Sequence, residues 1–582
     1  MYRTAIESFG FTDAFDPTGE YLGSAFGLYS DAMLRTLVGY NHVAGAAGDT
    51  IVPDLATNLG TVSPDGLTYT FHLKPGVKFG PPVDRPITSK DVLYAFQRIN
   101  TKSLVAQYGF YYDGVIKGMT GDAKSPSTPI SGISTPDSST IVFHLAQPTG
   151  DFLYRLTMPA TAPIPSEVAK CFTTAGGYGR DVVSSGPYMI LGADKVNDAS
   201  CKMLQPMAGF DPTKFLKLVR NPDYSASTDS PAARQNFLNG IDIEIDTNTT
   251  DIFNKIQAGQ LDGSWASAPP PEIEQQYLTN PALKPLLKSN AGDRTWYISM
   301  NLLTPPFDDI HVRKAVNDII DKASLQKAWG GPVHGQIATH VYPPTVLPSF
   351  PSGYNPYPSA GNAGNLAAAE AEMKLSKYDP KRDGLCDVGA CKNILMVSRN
   401  ETPWTTMDPV IQEDLAKIGI DVKLRELDTG TAYTTIQTVD KLIPIAANAG
   451  WGKDYADPYT FAVLFKSSGI NCTGQINYSE IGMTSALAKQ CGVSAEYNKV
   501  ASDFPSLDSR INDCEAASGT TRNQCWVSLD QELMTNVVPW VPYLWATNLT
   551  IVGKSVTQWQ FDQFSGYLSW CHIAVNNDAT VS

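Results

Sequence analysis

The sequence predicts an α/β protein built from more than one domain. Three observations carry that expectation: a strand–helix–strand pattern over residues 394–424, clean apolar alternation in several other short segments, and a length of 582 residues, more than one hydrophobic core organises. An apolar fraction of 42% and a charged fraction of 18% belong to a globular chain. The net charge of −14 argues against nucleic-acid binding, which needs a basic, phosphate-neutralising surface. No run approaches the ~18 apolar residues of a membrane helix. The stretch Val537–Ala546 is short and interrupted by Pro539 and Pro542.

In chain order, Ser63–Gly76 is nearly repeated by Thr135–Pro148. Each segment reads as a turn followed by a strand, with Tyr69, Phe71 and Leu73 on one face and Ile141, Phe143 and Leu145 on the equivalent one. His72 and His144 fall on the opposite, polar faces, where a structural role is favoured over a metal pair. Thr88–Asp91 has the form of a capping box opening a helix with Val92, Phe96 and Ile99 on one side. Gly, Ser and Pro dominate after Thr174, and Ser184–Tyr188 leads into a short apolar strand. Ile241–Ile245 alternates as a strand, Asp251–Gln257 is a helix ending near Gly259, and Tyr297–Asn301 is another strand. Pro305, Pro306, Asp308 and Asp309 start a helix carrying Val312, Ala315, Val316, Ile319 and Ile320 at helical spacing. Residues 342–365 are loop.

The strand–helix–strand unit consists of Ile394–Val397, a helix Pro409–Ile418 closed by Gly419, and Ile420–Leu424. The next strand, Leu442–Ala447, delivers the chain to the loop Trp451-Gly-Lys-Asp-Tyr-Ala-Asp-Pro458. Residues 466–525 read as stapled loops and short helices, and Val537–Tyr543 as a proline-stiffened strand.

Of the nine cysteines, all but Cys571 fall into near neighbours: Cys171/Cys201, Cys386/Cys391, Cys472/Cys491 and Cys514/Cys525. There is no C-x2-C and no histidine beside a pair, so zinc is not expected. Disulfides in an oxidising compartment are the favoured reading, buried free thiols the alternative. Nearest-neighbour pairing is the simplest connectivity. Met1-Tyr-Arg-Thr opens straight into folded-looking sequence without a secretory leader. Either the protein is intracellular or its leader has been removed, and the cysteines favour the second, extracytoplasmic reading.

Signatures of zinc proteases, serine hydrolases and phosphate-binding loops are missing. Ser324 and Lys327 fit a bare S-x-x-K spacing inside a helix, without the companion motifs. His334 and His340, in a glycine-containing loop, are not expected to hold metal. The Trp451–Pro458 loop is the informative feature. In α/β folds ligands sit at the carboxyl ends of strands, and here Asp454 stands between Trp451 and Tyr455. Either Asp454 meets a ligand charge, or it caps its turn while Trp451 packs in the core. Asp457, ahead of Pro458, reads as a turn opener.

A set of ordered motifs gives the chain its resemblance: Asp16-Pro17, Leu67–Phe79, Thr88–Val92, Ser185–Tyr188, Arg220–Tyr224, Pro306–Ala315 and Trp451–Pro458. The chain resembles the peptide/nickel class (family 5, oligopeptide/dipeptide-binding type) of extracytoplasmic solute-binding proteins that serve ABC importers. Segments 105–135, 342–365 and 466–525 depart from the pattern as insertions. The resemblance implies a two-lobed, type II periplasmic-binding-protein-like ("Venus flytrap") α/β fold with an extra inserted subdomain. It assigns 1–36, 183–296 and 537–582 to lobe I, 37–182 to the insertion and 297–536 to lobe II. Further implications are an oligopeptide or dipeptide ligand held between the lobes, a membrane permease partner, a monomer, no cofactor and no metal, and a lipid anchor in the precursor. Asp454 would clamp the ligand's amine, with Trp451, Tyr455 and Gly450 beside it. The Thr18–Phe26 segment would offer backbone to an extended ligand, with Tyr21 and Phe26 as walls or as ordinary packing. Oligosaccharide, nickel chelate and haem remain alternative cargoes, and a secreted hydrolase or sensory binding module the competing class.

Overall fold

The computed structural model describes residues 1–7, 15–230, 232–497 and 506–577. Residues 8–14 and 578–582 of the first lobe's expected span, and 498–505 of the cysteine-bearing stretch, lie outside the described residues. The chain divides into two compact units. Unit 1 comprises Met1–Asn290, Asp454–Ala456 and Asn548–Ser582; unit 2 comprises Ala291–Lys453 and Asp457–Thr547.

Unit 1 begins with β1 (Tyr2–Ile6), followed by a short helix α1 (Gly23–Gly27). The repeated motifs become β2 (Thr68–His72) and, after α2 (Ser89–Ile99) and β3 (Ile133–Asp137), β4 (Thr140–His144). They pair with each other, Tyr69 opposite Phe143 and Phe71 opposite Ile141, in a small antiparallel sheet of its own. Strands β3 and β4 meet α2, with Phe143 edge-on to Phe96, and the first turn of α2 is fixed by the Thr88/Asp91 capping box. The main sheet of unit 1 adds β5 (Tyr188–Ile190), β6 (Phe215–Arg220) and β7 (Gly240–Ile245). After α3 (Thr249–Gln257) comes β8 (Gly263–Ser264), giving the order β8-β1-β7-β6-β5 with β1 parallel to both neighbours. Ile252, Phe253 and Ile256 of α3 bury as one helical face against Ala5 of β1 and Ile551.

Unit 2 holds a mixed sheet. Its strands are β9 (Leu287–Met300), β10 (Gly335–Ile337) after helices α4 (Ile310–Ile319) and α5 (Lys322–Ala328), and β11 (Ile394–Arg399). Helix α6 (Trp404–Lys417), β12 (Val422–Leu427), α7 (Thr429–Ile436) and β13 (Ile445–Trp451) follow. Helices α8 (Asp508–Ala516) and α9 (Gly519–Glu532) precede β14 (Trp540–Ile551). The sheet order is β10-β14-β9-β13-β11-β12, with β12–β11–β13 parallel. Val312, Val316 and Ile319 of α4 and Ile411 and Leu415 of α6 fill the core against Ile298, Met396 and Ile445.

Several boundaries differ from expectation. Helix α6 starts at Trp404, so Pro409 lies inside it rather than at its first turn. Burial of Trp404 and Met407 draws the chain into the helix earlier than proline punctuation suggests. Strand β13 begins at Ile445 and not Leu442, because Leu442 takes φ +44° at the end of a short turn. Val538, at φ +54°, likewise ends one element, and β14 starts at Trp540. Strand β9 begins ten residues before Tyr297, and β12 runs to Leu427 instead of ending at Leu424. The units divide at 290/291 and 547/548, inside β9 and β14, where the sequence expectation stands at 296/297 and 536/537. A strand that continues through a boundary carries no turn signal to mark it. All four nearest-neighbour disulfides form, and Cys571 is a buried free thiol.

Candidate functional site

Strand β13 ends at Trp451, so Gly450 and Trp451 belong to the strand and the loop proper opens at Gly452. Gly450 pairs with Trp296, and a β-carbon there would lie 2.3 Å from that indole. Glycine is required for close packing. Trp451 is buried and donates its indole N–H to the Thr460 carbonyl at 2.9 Å. Both residues therefore build the loop's base inside unit 2.

The next residues, Asp454–Ala456, pack with unit 1. Asp454 accepts a 2.6 Å hydrogen bond from the Tyr111 hydroxyl on Oδ2. Tyr455 is fully buried, donates its hydroxyl to Asp151 at 2.6 Å, and meets the Tyr111 ring edge-on at 5.0 Å. Asp151 is also held by Arg155, whose remaining Nη1 donates to the Tyr111 carbonyl at 2.6 Å. This buried ion pair positions Tyr111 and Tyr455 together, and a buried pair so fully hydrogen-bonded fixes geometry more than it adds stability. The Tyr108 and Tyr111 rings lie 4° from parallel at 6.1 Å. Tyr21 stacks on the far side of Tyr108 at 5.5 Å, Phe26 tilts against it at 5.3 Å, and the Tyr108 hydroxyl donates to the Tyr21 carbonyl at 2.9 Å. Burial, reinforced by the Asp454 charge, pushes the Tyr108 phenol well above its ordinary range.

Tyr21, Phe26, Asp454 and Tyr455 thus gather around residues 108–111. The sequence reading set those residues aside as part of an inserted segment. The density of the Tyr108-Gly-Phe-Tyr-Tyr112 run was the available signal. The Thr18–Phe26 segment corrects an expectation. Gly23–Gly27 is helical, the N–H groups of Thr18, Gly19 and Glu20 bond to Asp16, those of Tyr21 and Leu22 to the Glu20 carboxylate, and that of Phe26 to the Leu22 carbonyl. Such a segment does not present the open donor edge that strand addition needs.

Asp457 has a different environment. It is 3% exposed, accepts from the Tyr459 N–H at 2.9 Å, and is gripped by both Nη atoms of Arg522 from α9. The turn-opening role is present, and the ion pair is one that sequence spacing did not suggest.

A second charged centre in unit 2 was also missed. Arg399, at the end of β11, is 8% exposed. Its guanidinium lies 4.2 Å from the Trp404 ring centroid, 4.8 Å from Tyr433 and 5.3 Å from Trp296, with one N–H on the Tyr433 hydroxyl at 2.6 Å. Among the described residues no carboxylate forms an ion pair with it. The other flagged groups have structural partners. His72 meets Thr140, His144 meets Thr68, and His340 bonds Asp530 and stacks on Phe350. Ser324 is engaged with Asp321 at the start of α5.

The chain matches the family described as bacterial extracellular solute-binding proteins, family 5 (middle), over residues 50–471. It is 24% identical over 561 residues to the probable di/tripeptide-binding protein 5 of Pseudomonas aeruginosa (strain UCBPP-PA14), spanning 94% of this chain and 90% of that one. It is 26% identical over 433 residues to the oligopeptide-binding protein OppA of Bacillus subtilis (strain 168), spanning 71% and 70%. Among solved structures, the clavulanic acid biosynthesis oligopeptide binding protein 2 superposes with a TM-score of 0.81 at 24% identity, covering 99% of this chain and 95% of that one. DppA from Helicobacter pylori in complex with the peptide STSA gives 0.67 at 19% identity, covering 98% of each.

Proposed function

The chain belongs to the family-5 bacterial extracellular solute-binding proteins, and on that premise we propose that it is the extracytoplasmic peptide receptor of an ABC importer, with Asp454 as the counter-charge to the ligand's α-ammonium. The family and the relatives are binding proteins rather than enzymes. Relatives are named for di- and tripeptides and for oligopeptides, and one, from Haemophilus influenzae, is named as periplasmic. No described helix is long and apolar enough to cross a membrane. Delivery to a permease and attachment of the precursor by a lipid are parts of the proposal.

The observation that carries the site assignment is an aromatic cluster, Tyr21 and Phe26 on Tyr108 and Tyr455 on Tyr111, whose Tyr111 hydroxyl holds the Asp454 carboxylate. An ammonium withdrawn from water needs a charged acceptor, and tyrosine faces add cation–π attraction of about 0.5–2 kcal/mol. A carboxylate offers about four lone-pair sites, and the Tyr111 hydroxyl takes one of those on Asp454 Oδ2. The caged Arg399 has the planar donor set that suits a carboxylate, whether a terminus or an acidic side chain.

Native mass spectrometry of the purified protein, followed by calorimetry with short peptides, tests the substrate class. Retained or added peptides should bind. Binding of a neutral oligosaccharide or a metal chelate in their place would overturn the peptide assignment and leave the family intact.

A further inference from the structure

Glu480 is a buried acid that the peptide site does not use. Its side chain is fully enclosed within unit 2, and its backbone stands at φ +61°, a region that residues with a β-carbon seldom occupy. Two penalties at one position call for a chemical reason. Glu480 Oε1 accepts from Gln475 Nε2 at 2.8 Å. Among the described residues, Glu480 Oε2 has no hydrogen-bond partner, and neither has Oε1 of Gln475, which is itself 2% exposed. Both residues line a cavity of about 10 Å³, the size that admits one water-sized body.

The rest of the described wall includes Ser299, Asn301, Thr438 and Tyr478. Ile436, Val439, Ile443 and Ala446 make its apolar side; the polar side offers carboxylate, amide and hydroxyl oxygens and neither sulfur nor imidazole, a hard ligand set. Burial pushes the Glu480 carboxyl up to about 8, and among the described residues no cation pairs with it to oppose that shift. A cation in the cavity would supply that charge.

We propose that Glu480 and Gln475 form a binding site for a single small monovalent cation, sodium being the ion of fitting size and hardness. The valence follows from charge balance. One carboxylate lines the cavity, so one positive charge neutralises it, whereas a divalent ion would leave an excess charge buried. Ser299 stands on β9, Thr438 just beyond α7, and Gln475 and Glu480 in a later loop, after β13 and before the short helix Ser485–Gln490. An ion at this point would tie that loop to the sheet of unit 2.

Thermal unfolding of the full chain in sodium chloride and in choline chloride at equal ionic strength tests the site. Sodium should raise Tm progressively, as the logarithm of its concentration above Kd, by about 1–3 °C once it stands tenfold above its Kd. The rise should vanish in Glu480→Gln and weaken in Gln475→Leu, the second variant guarding against misfolding of the first. Equal Tm in both salts would mean a neutral carboxyl beside water and would overturn the proposal. So would a rise that survives both substitutions, or one produced by calcium alone.

Discussion

Asp454 and Asp457 share one loop and one side-chain chemistry, yet the fold treats them differently. Asp457 is buried in unit 2 and matched by the guanidinium of Arg522, 65 positions later in the chain. Asp454 packs with unit 1, where the hydroxyl of Tyr111, 343 positions earlier, orients it among aromatic rings. A carboxylate already matched by a guanidinium gains little from a ligand's ammonium. Asp454 accepts from a neutral hydroxyl, and an ammonium brought to it adds a charge pair, which in a water-poor site is far stronger than a neutral hydrogen bond. The two roles are set by which distant residue arrives, and nothing within the eight-residue loop decides them.

The comparison can be broken from either side, and the largest expected effect lies at Asp457. Replacing Arg522 by Met strands a buried carboxylate and should destabilise the protein by about 3–5 kcal/mol, read as a lower urea midpoint at unchanged slope. Peptide affinity of the folded fraction should stay the same. A stability loss below about 1 kcal/mol would show that Asp457 does not depend on its ion pair, and the contrast between the two aspartates would fail.

A smaller effect is expected on the other side. Tyr111→Phe removes the hydroxyl that orients Asp454 but keeps the ring. A hydrogen bond to a charged group is worth about 1.5–3 kcal/mol, so peptide affinity should fall by about ten- to a hundredfold, with the same ring contacts retained. An unchanged affinity would mean that Asp454 needs no orienting donor. The smallest change concerns Tyr21, which is 44% exposed and stacked on Tyr108. Its loss in Tyr21→Leu should shift stability by about 0.5–1.5 kcal/mol and alter preference among peptides more than overall affinity. A thermal shift well beyond that range would make Tyr21 a packing residue.

Local patterning made much of the architecture legible. The repeated strand motifs, the Thr88–Asp91 cap, the α4 stripe and the four cysteine pairs all appear as expected, because each depends on neighbours in sequence. The misplaced starts of α6, β13 and β14 share another cause. Burial of Trp404, and left-handed turns at Leu442 and Val538, override proline and apolar-run signals. At the site, Asp454 and its aromatic neighbours could be picked out by chemistry, but their gathering point at Tyr108 and Tyr111 could not. The Arg522–Asp457 pair and the Trp404–Tyr433 cage around Arg399 were equally hidden, since each joins segments far apart in the chain.

The central claim is that Asp454 meets a ligand's free amine, and a four-way calorimetric cycle tests it most directly. Parent and Asp454→Asn proteins are each titrated with a peptide and with its N-acetylated form. Either change alone should weaken binding by about 3–5 kcal/mol, a few hundred- to a few thousandfold. The two losses should not add, because each breaks the same contact. Asp454→Asn protein that binds the free-amine peptide as tightly as the parent does, or losses that add in full, would contradict the account.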